Sequence, residues 1–155
     1  MTTTTTTHAE QNAQGHALAI AAAYEAHQFC MEEGEGRHLT REAKAILKEL
    51  GYDGTNHDDV LEAIEEQGRE QALSVGVRCS EWQDPCESQD LSPDEFQILL
   101  STGGPALRIV GELNAHCEPC RARLQHQDWG TPWTEWLDVD HDALIWFAGL
   151  FWFGA

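Results

Sequence analysis

FQILLSTGGPALRIVGEL, residues 96–113, is the stretch whose reading decides the fold. Phe96, Ile98 and Leu100 alternate with Gln97 and Leu99. Leu107, Ile109 and Leu113 alternate with Arg108, Val110 and Glu112. A period of two marks β-strands, and the Gly-Gly-Pro between the runs breaks pairing. PCRARLQHQDW (119–129) continues the pattern: Arg121, Arg123, Gln125 and Gln127 alternate with Ala122, Leu124, His126 and Asp128. Runs joined by short loops pair antiparallel. Upstream, Val75, Val77 and Cys79 alternate with Ser74, Gly76 and Arg78, and 133–137 reads as a short last strand. The expectation is an antiparallel meander of four or five strands. Five of the six tryptophans lie within 96–153, which places the core there. A terminal apolar run, ALIWFAGLFWF, follows as a helix over about 140–150. Leu144, Phe147, Ala148 and Phe151 form its sheet-facing stripe. Trp146, Leu150 and Trp152 point elsewhere: either the helix is buried on both sides, or they form a patch for a partner or a homodimer.

The first half has the helical period. Residues 1–15, with six threonines in a row, read as a disordered arm. The Ala-rich 16–31 reads as a helix with Leu18, Ala22, Tyr24 and Phe29 on one apolar face. In the next helix Thr40 caps, Ala43, Ile46, Leu47 and Leu50 fall at i, i+3, i+4, i+7, and Gly51 terminates. A third helix covers about 57–72, with Asn56 as its cap and Val60, Leu61 and Ile64 buried. Helices first and strands after give an α+β fold, with the C-terminal helix packed on the sheet. The organisation is an arm at 1–15, a helical segment at 16–72 and the sheet with its helix at 73–155, the last two forming one compact unit. A chain of this length buries roughly 70% of the surface its unfolded form exposes.

Charge is the outlying property: 27 acidic residues against 9 basic, a net of −18. Solubility or salt adaptation is the plainer account of such a charge and a basic partner the sharper one, while direct nucleic-acid binding is disfavoured because phosphates are repelled; no membrane partner is expected. Two concentrations stand out. One is the third helix, with Asp58, Asp59, Glu62, Glu65, Glu66 and Glu70; the other is the following loop, with Glu81, Asp84, Glu87, Asp90, Asp94 and Glu95 and no base. Carboxylates three or four apart on a helix are spaced like a phosphate row. A solvated helix face is the plainer account of either set alone. No basic start with an apolar run opens the chain, and its longest apolar run falls short of a bilayer span, so the expected compartment is the cytoplasm.

Catalytic signatures are absent. No Gly-x-Ser-x-Gly, phosphate-binding loop or His-Glu-x-x-His occurs. Asp128 and Glu135 flank Trp129 and Trp133, a carboxylate pair that a hydrolase could use, although a Trp-Pro corner more simply fills core. Cys79, Cys86, Cys117 and Cys120 could hold zinc, but the six-residue gap between the first pair is too loose for a standard knuckle. Reduced thiols are the alternative, and no cofactor is expected. The run 53–62 is like a calcium loop but lacks its sixth-position glycine and twelfth-position carboxylate.

On Gly103-Gly104-Pro105-Ala106, on Gln127 through Glu135 and on the Phe151–Gly154 tail, the chain resembles a family of small proteins carried by bacterial plasmids and prophages. The likeness spans about 95–154. It implies a mobile-element setting and no enzyme activity. With the charge, it leads to an expectation of an acidic inhibitor that occupies the basic nucleic-acid channel of a host defence complex, a CRISPR effector first and a restriction enzyme second. Two other classes stay open: a small metal-dependent or hydrolytic enzyme using the cysteines or the Asp128/Glu135 corner, and a non-catalytic structural dimer.

Overall fold

The structure, a computed structural model, describes residues 7–33, 41–49, 51–52, 57–79, 93–103 and 105–153. Three helices, α1 (His8–Glu33), α2 (Arg41–Glu49) and α3 (His57–Glu70), precede five strands and a last helix. The strands are β1 (Ser74–Arg78), β2 (Glu95–Ser101), β3 (Ala106–Leu113), β4 (Pro119–Gln127) and β5 (Thr134–Trp136); α4 is His141–Ala148. The strands form one antiparallel sheet in sequential order. This is the α+β meander that the alternation predicts.

Register assigns the two sheet faces. Ile98 pairs with Ile109, Ile109 with Leu124 and Leu124 with Trp136. That row, together with Phe96, Leu100, Leu107, Leu113 and Ala122, faces Leu144 and Phe147 of α4 and Ala13, Ala17 and Ile20 of α1. Leu144 and Phe147 are completely buried, each worth about 1.5–3 kcal/mol relative to exposure. Asp140 caps α4 by accepting from the Asp142 N–H (2.9 Å) and the Ala143 N–H (3.3 Å). Val75 and Val77 of β1 lie on the same face beyond the helices and stay 41% and 49% exposed. The opposite face carries no helix among the described residues.

A second core lies among the first three helices, from Ala23, Ala26, Cys30, Leu47, Tyr52, Val60 and Ile64. Gly51, at φ 95°, ends α2 as predicted. Its N–H donates to Lys48 O and the Tyr52 N–H donates to Leu47 O, the paired bonds of a Schellman cap. The capping roles read for Thr40 and Asn56 fall outside the described residues.

Two expectations for the N-terminus are corrected. Helix α1 begins at His8, inside the stretch read as a disordered arm. The cause is a capping box: Thr7 Oγ1 accepts from the Glu10 N–H (3.2 Å) and Glu10 Oε2 accepts from the Thr7 N–H (3.1 Å). Its buried face is also not the one built from Leu18, Ala22, Tyr24 and Phe29. Ala9, Ala13, Ala17, Ile20, Ala23, Ala26 and Cys30 are buried, and Leu18 is 63% exposed. Small side chains let the α1 backbone lie close to both the sheet and α3, so ranking residues by size picks the wrong face.

Candidate functional site

Helix α3 turns Val60 and Ile64 fully inward. Asp58, Asp59, Glu62, Glu66 and Glu70 are exposed, and Glu65 is half-buried with Oε1 3.6 Å from His27 Nε2. At 3.6 residues per turn the six carboxylates occupy roughly 140° of arc over about 18 Å of axis. Arg69 stands within the same arc. Asp58 and Asp59 sit in the first turn, where the helix dipole favours anions.

Of the second predicted acidic set, only Asp94 and Glu95 are among the described residues, and both lie at the sheet. Glu81, Asp84, Glu87 and Asp90 lie outside the described residues. Asp94 precedes β2, its N–H donating to Arg78 O at 3.0 Å. Glu95 stands on the helix-free side of the sheet, paired with the Arg78 guanidinium.

The aromatic anchors are partly used within the chain. Trp146 joins the two cores, its ring 5.7 Å from that of Tyr24 and 5.2 Å from that of His27. Leu150 lies against Gly68 of α3, where a Cβ would come within 2.6 Å of its Cδ1. Trp152 is 79% exposed. Of the three residues read as a dimer patch, only Trp152 presents most of its side chain to solvent.

Cys79 follows β1, whereas Cys117 lies in the β3–β4 turn and Cys120 is the second residue of β4. Three strand spacings separate them, about 14 Å of backbone, too far for one tetrahedral zinc with bonds of ~2.3 Å. Cys86 lies outside the described residues. Among the described residues no three His, Cys, Asp or Glu side chains gather as a metal site. Asp128 is occupied by its own turn: its Oδ1 accepts from the Trp129 N–H (2.9 Å), and its N–H donates to Thr131 Oγ1 (3.0 Å). Glu135 pairs with Gln125 across β4–β5 and lines a shallow cleft beside Cys120 and His141, a cleft that Asp128 does not share.

The feature that the sequence reading did not single out is the helix-free sheet face. Register brings Arg78, Arg108, Arg121 and Arg123 onto it, four of the nine basic residues of the chain. Arg121 Nε is 3.6 Å from Glu112 Oε2. Arg108 is held by neutral groups: its Nε donates to Gln125 Oε1 (2.9 Å) and its Nη1 to Gln97 Oε1 (2.8 Å), while its Cζ lies 4.1 Å from the Trp133 ring centre. Burial, then the charges of Arg78 and Arg123, push its guanidinium below the usual value. The Arg123 side chain makes no hydrogen bond or ion pair among the described residues. Arg78, Arg108 and Arg123, with Gln97, Gln125, Gly76, Glu95 and Val110, line a cleft of about 290 Å³. The signal was present in Arg121-x-Arg123-x-Gln125-x-Gln127, a polar row at strand spacing; it needed the register of β3 to add Arg108 between the glutamines.

Among the described residues no helix is long and apolar enough to cross a membrane. No protein-family model, curated protein or solved structure matches the chain.

Proposed function

We propose that the chain is a non-catalytic acidic binding protein whose α3 face docks on a basic nucleic-acid-binding surface in place of a phosphate backbone. The observation that carries this reading is linear charge density. Six carboxylates along about 18 Å of helix place one charge every ~3 Å, and one strand of duplex DNA carries one per ~3.4 Å. Arg69 lowers the match only slightly. Packing of α3 on α1 through Val60 and Ile64 holds the row rigid, so little ordering cost falls on binding. With the mobile-element likeness, the partner is a host defence complex with a Lys/Arg-lined channel, a CRISPR effector first and a restriction enzyme second.

The test is plaque formation by a targeted phage in an immune host expressing the chain, beside a variant carrying Asp58→Asn, Glu62→Gln, Glu66→Gln and Glu70→Gln. The native chain restores plaques and the variant does not. Binding to the purified complex weakens with salt, and the variant shows a shallower salt dependence. Immunity undiminished by the native chain across several CRISPR and restriction systems would refute the proposal.

A further inference from the structure

We propose that the cleft on the helix-free sheet face binds a phosphate monoester as its dianion. This site is separate from the α3 face. The first argument concerns donors. A guanidinium has N–H donors and no acceptor, so Gln97 and Gln125 turn their Oε1 atoms to Arg108. Their Nε2 groups are thereby directed away from Arg108, as donors. Arg123 brings its guanidinium opposite Val110 on the neighbouring strand. The cleft thus presents mainly hydrogen-bond donors around an apolar floor, the complement of an oxyanion.

The second argument concerns charge. The lining holds Arg78, Arg108 and Arg123 against Glu95 alone, a net of +2. In a chain of net −18, a guanidinium with two others, Arg78 and Arg123, within electrostatic reach is a local exception. A phosphate monoester carries about −1.5 to −2 at pH 7, which matches that lining. The third argument is room. Gly76 lies on this face at the edge strand, and a Cβ there would meet nothing within 4 Å. The missing side chain leaves the cleft open on that side, and about 290 Å³ suits a phosphate with a small organic body.

The experiment is calorimetric titration of the full chain with ribose 5-phosphate, inorganic phosphate and malonate, at about 0.15 M ionic strength. Ribose 5-phosphate is expected to saturate one site and to bind at least tenfold more tightly than malonate. Its affinity falls about tenfold between pH 7.5 and 5 as the dianion is protonated, given a second pKa of about 6. Arg123→Ala, exposed and outside the core, loses roughly tenfold or more. Gly76→Val keeps every charge, fills the open side and also loses binding. The inference is overturned by no saturable binding, by malonate binding equally well, or by either variant binding like the native chain.

Discussion

Replacing Gly111 by alanine tests the packing of the sheet most sharply. Gly111 lies on the core side of β3, opposite Phe96 on β2 and Ala122 on β4. A Cβ built there falls on the Arg121 carbonyl oxygen and within 2.7 Å of two ring carbons of Phe96. The oxygen belongs to the backbone of a paired strand, so it cannot swing aside as a side-chain end could. Phe96 is 3% exposed and its ring lies tilted 4.8 Å from that of Phe153, so it too is confined. Relief requires β3 and β4 to part locally, at the cost of ladder bonds, or Phe96 to leave its rotamer. Overpacking costs about 1–3 kcal/mol and occasionally more, and two rigid neighbours place this case at about 3 kcal/mol. For a chain of this size that lowers the melting temperature by roughly 6–12 °C. Urea unfolding followed by tryptophan fluorescence gives the stability, with Gly76→Ala as the control. At Gly76 the new methyl meets nothing, and the change gains about 0.5–1 kcal/mol of strand propensity. A Gly111→Ala protein within about 1 kcal/mol of the native chain would refute the account.

Further outcomes follow from the caps, the histidines and the cysteines. Thr7→Ala removes the acceptor of the capping box, costs about 1 kcal/mol and speeds amide exchange at Glu10 while leaving α4 protected. Asp140→Ala has the converse local effect, a loss of about 1 kcal/mol with faster exchange at Asp142 and Ala143. Burial lowers the His16 pKa below its ordinary 6.5. The unfolded chain therefore takes up this proton first as pH falls, so the stability is full above about 6.5 and declines below it; His16→Gln flattens that decline in urea midpoints measured at pH 7.5 and 5.5. Incubation with a metal chelator leaves the melting temperature unchanged, since Cys79 stands about 14 Å from the Cys117–Cys120 turn; a drop of several degrees would restore the zinc reading.

The sheet was legible because its core face and its solvent face differ at every second residue, and the pairing Ile98–Ile109–Leu124 keeps that alternation in register. The end of α2 was legible for a different reason: Gly51 is needed where φ is positive. Helix α1 was misread because its packing face is alanine, whose small size conveys proximity to neighbours rather than apolar bulk. Thr7 and Glu10 carried a start signal hidden within a threonine run. The acidic row of α3 needed only helical periodicity. The arginine cleft needed pairing between strands, because Arg78, Arg108 and Arg123 come from three separate strands and no local window contains them. Trp133 was read as core, and its ring instead lies under the Arg108 guanidinium.

Helix α1 is common property of both cores. Its first half, through Ala13, Ala17 and Ile20, roofs the sheet, and its second half, through Ala23, Ala26 and Cys30, walls the helical cluster. One continuous helix of 26 residues therefore ties the melting of one core to the melting of the other. A cut near residue 72 is expected to leave neither piece autonomous: the strand half would lose its roof and the helical half its anchor on Trp146. Damage to either half should spread as a single cooperative transition, and a fragment beginning at β1 should aggregate rather than fold.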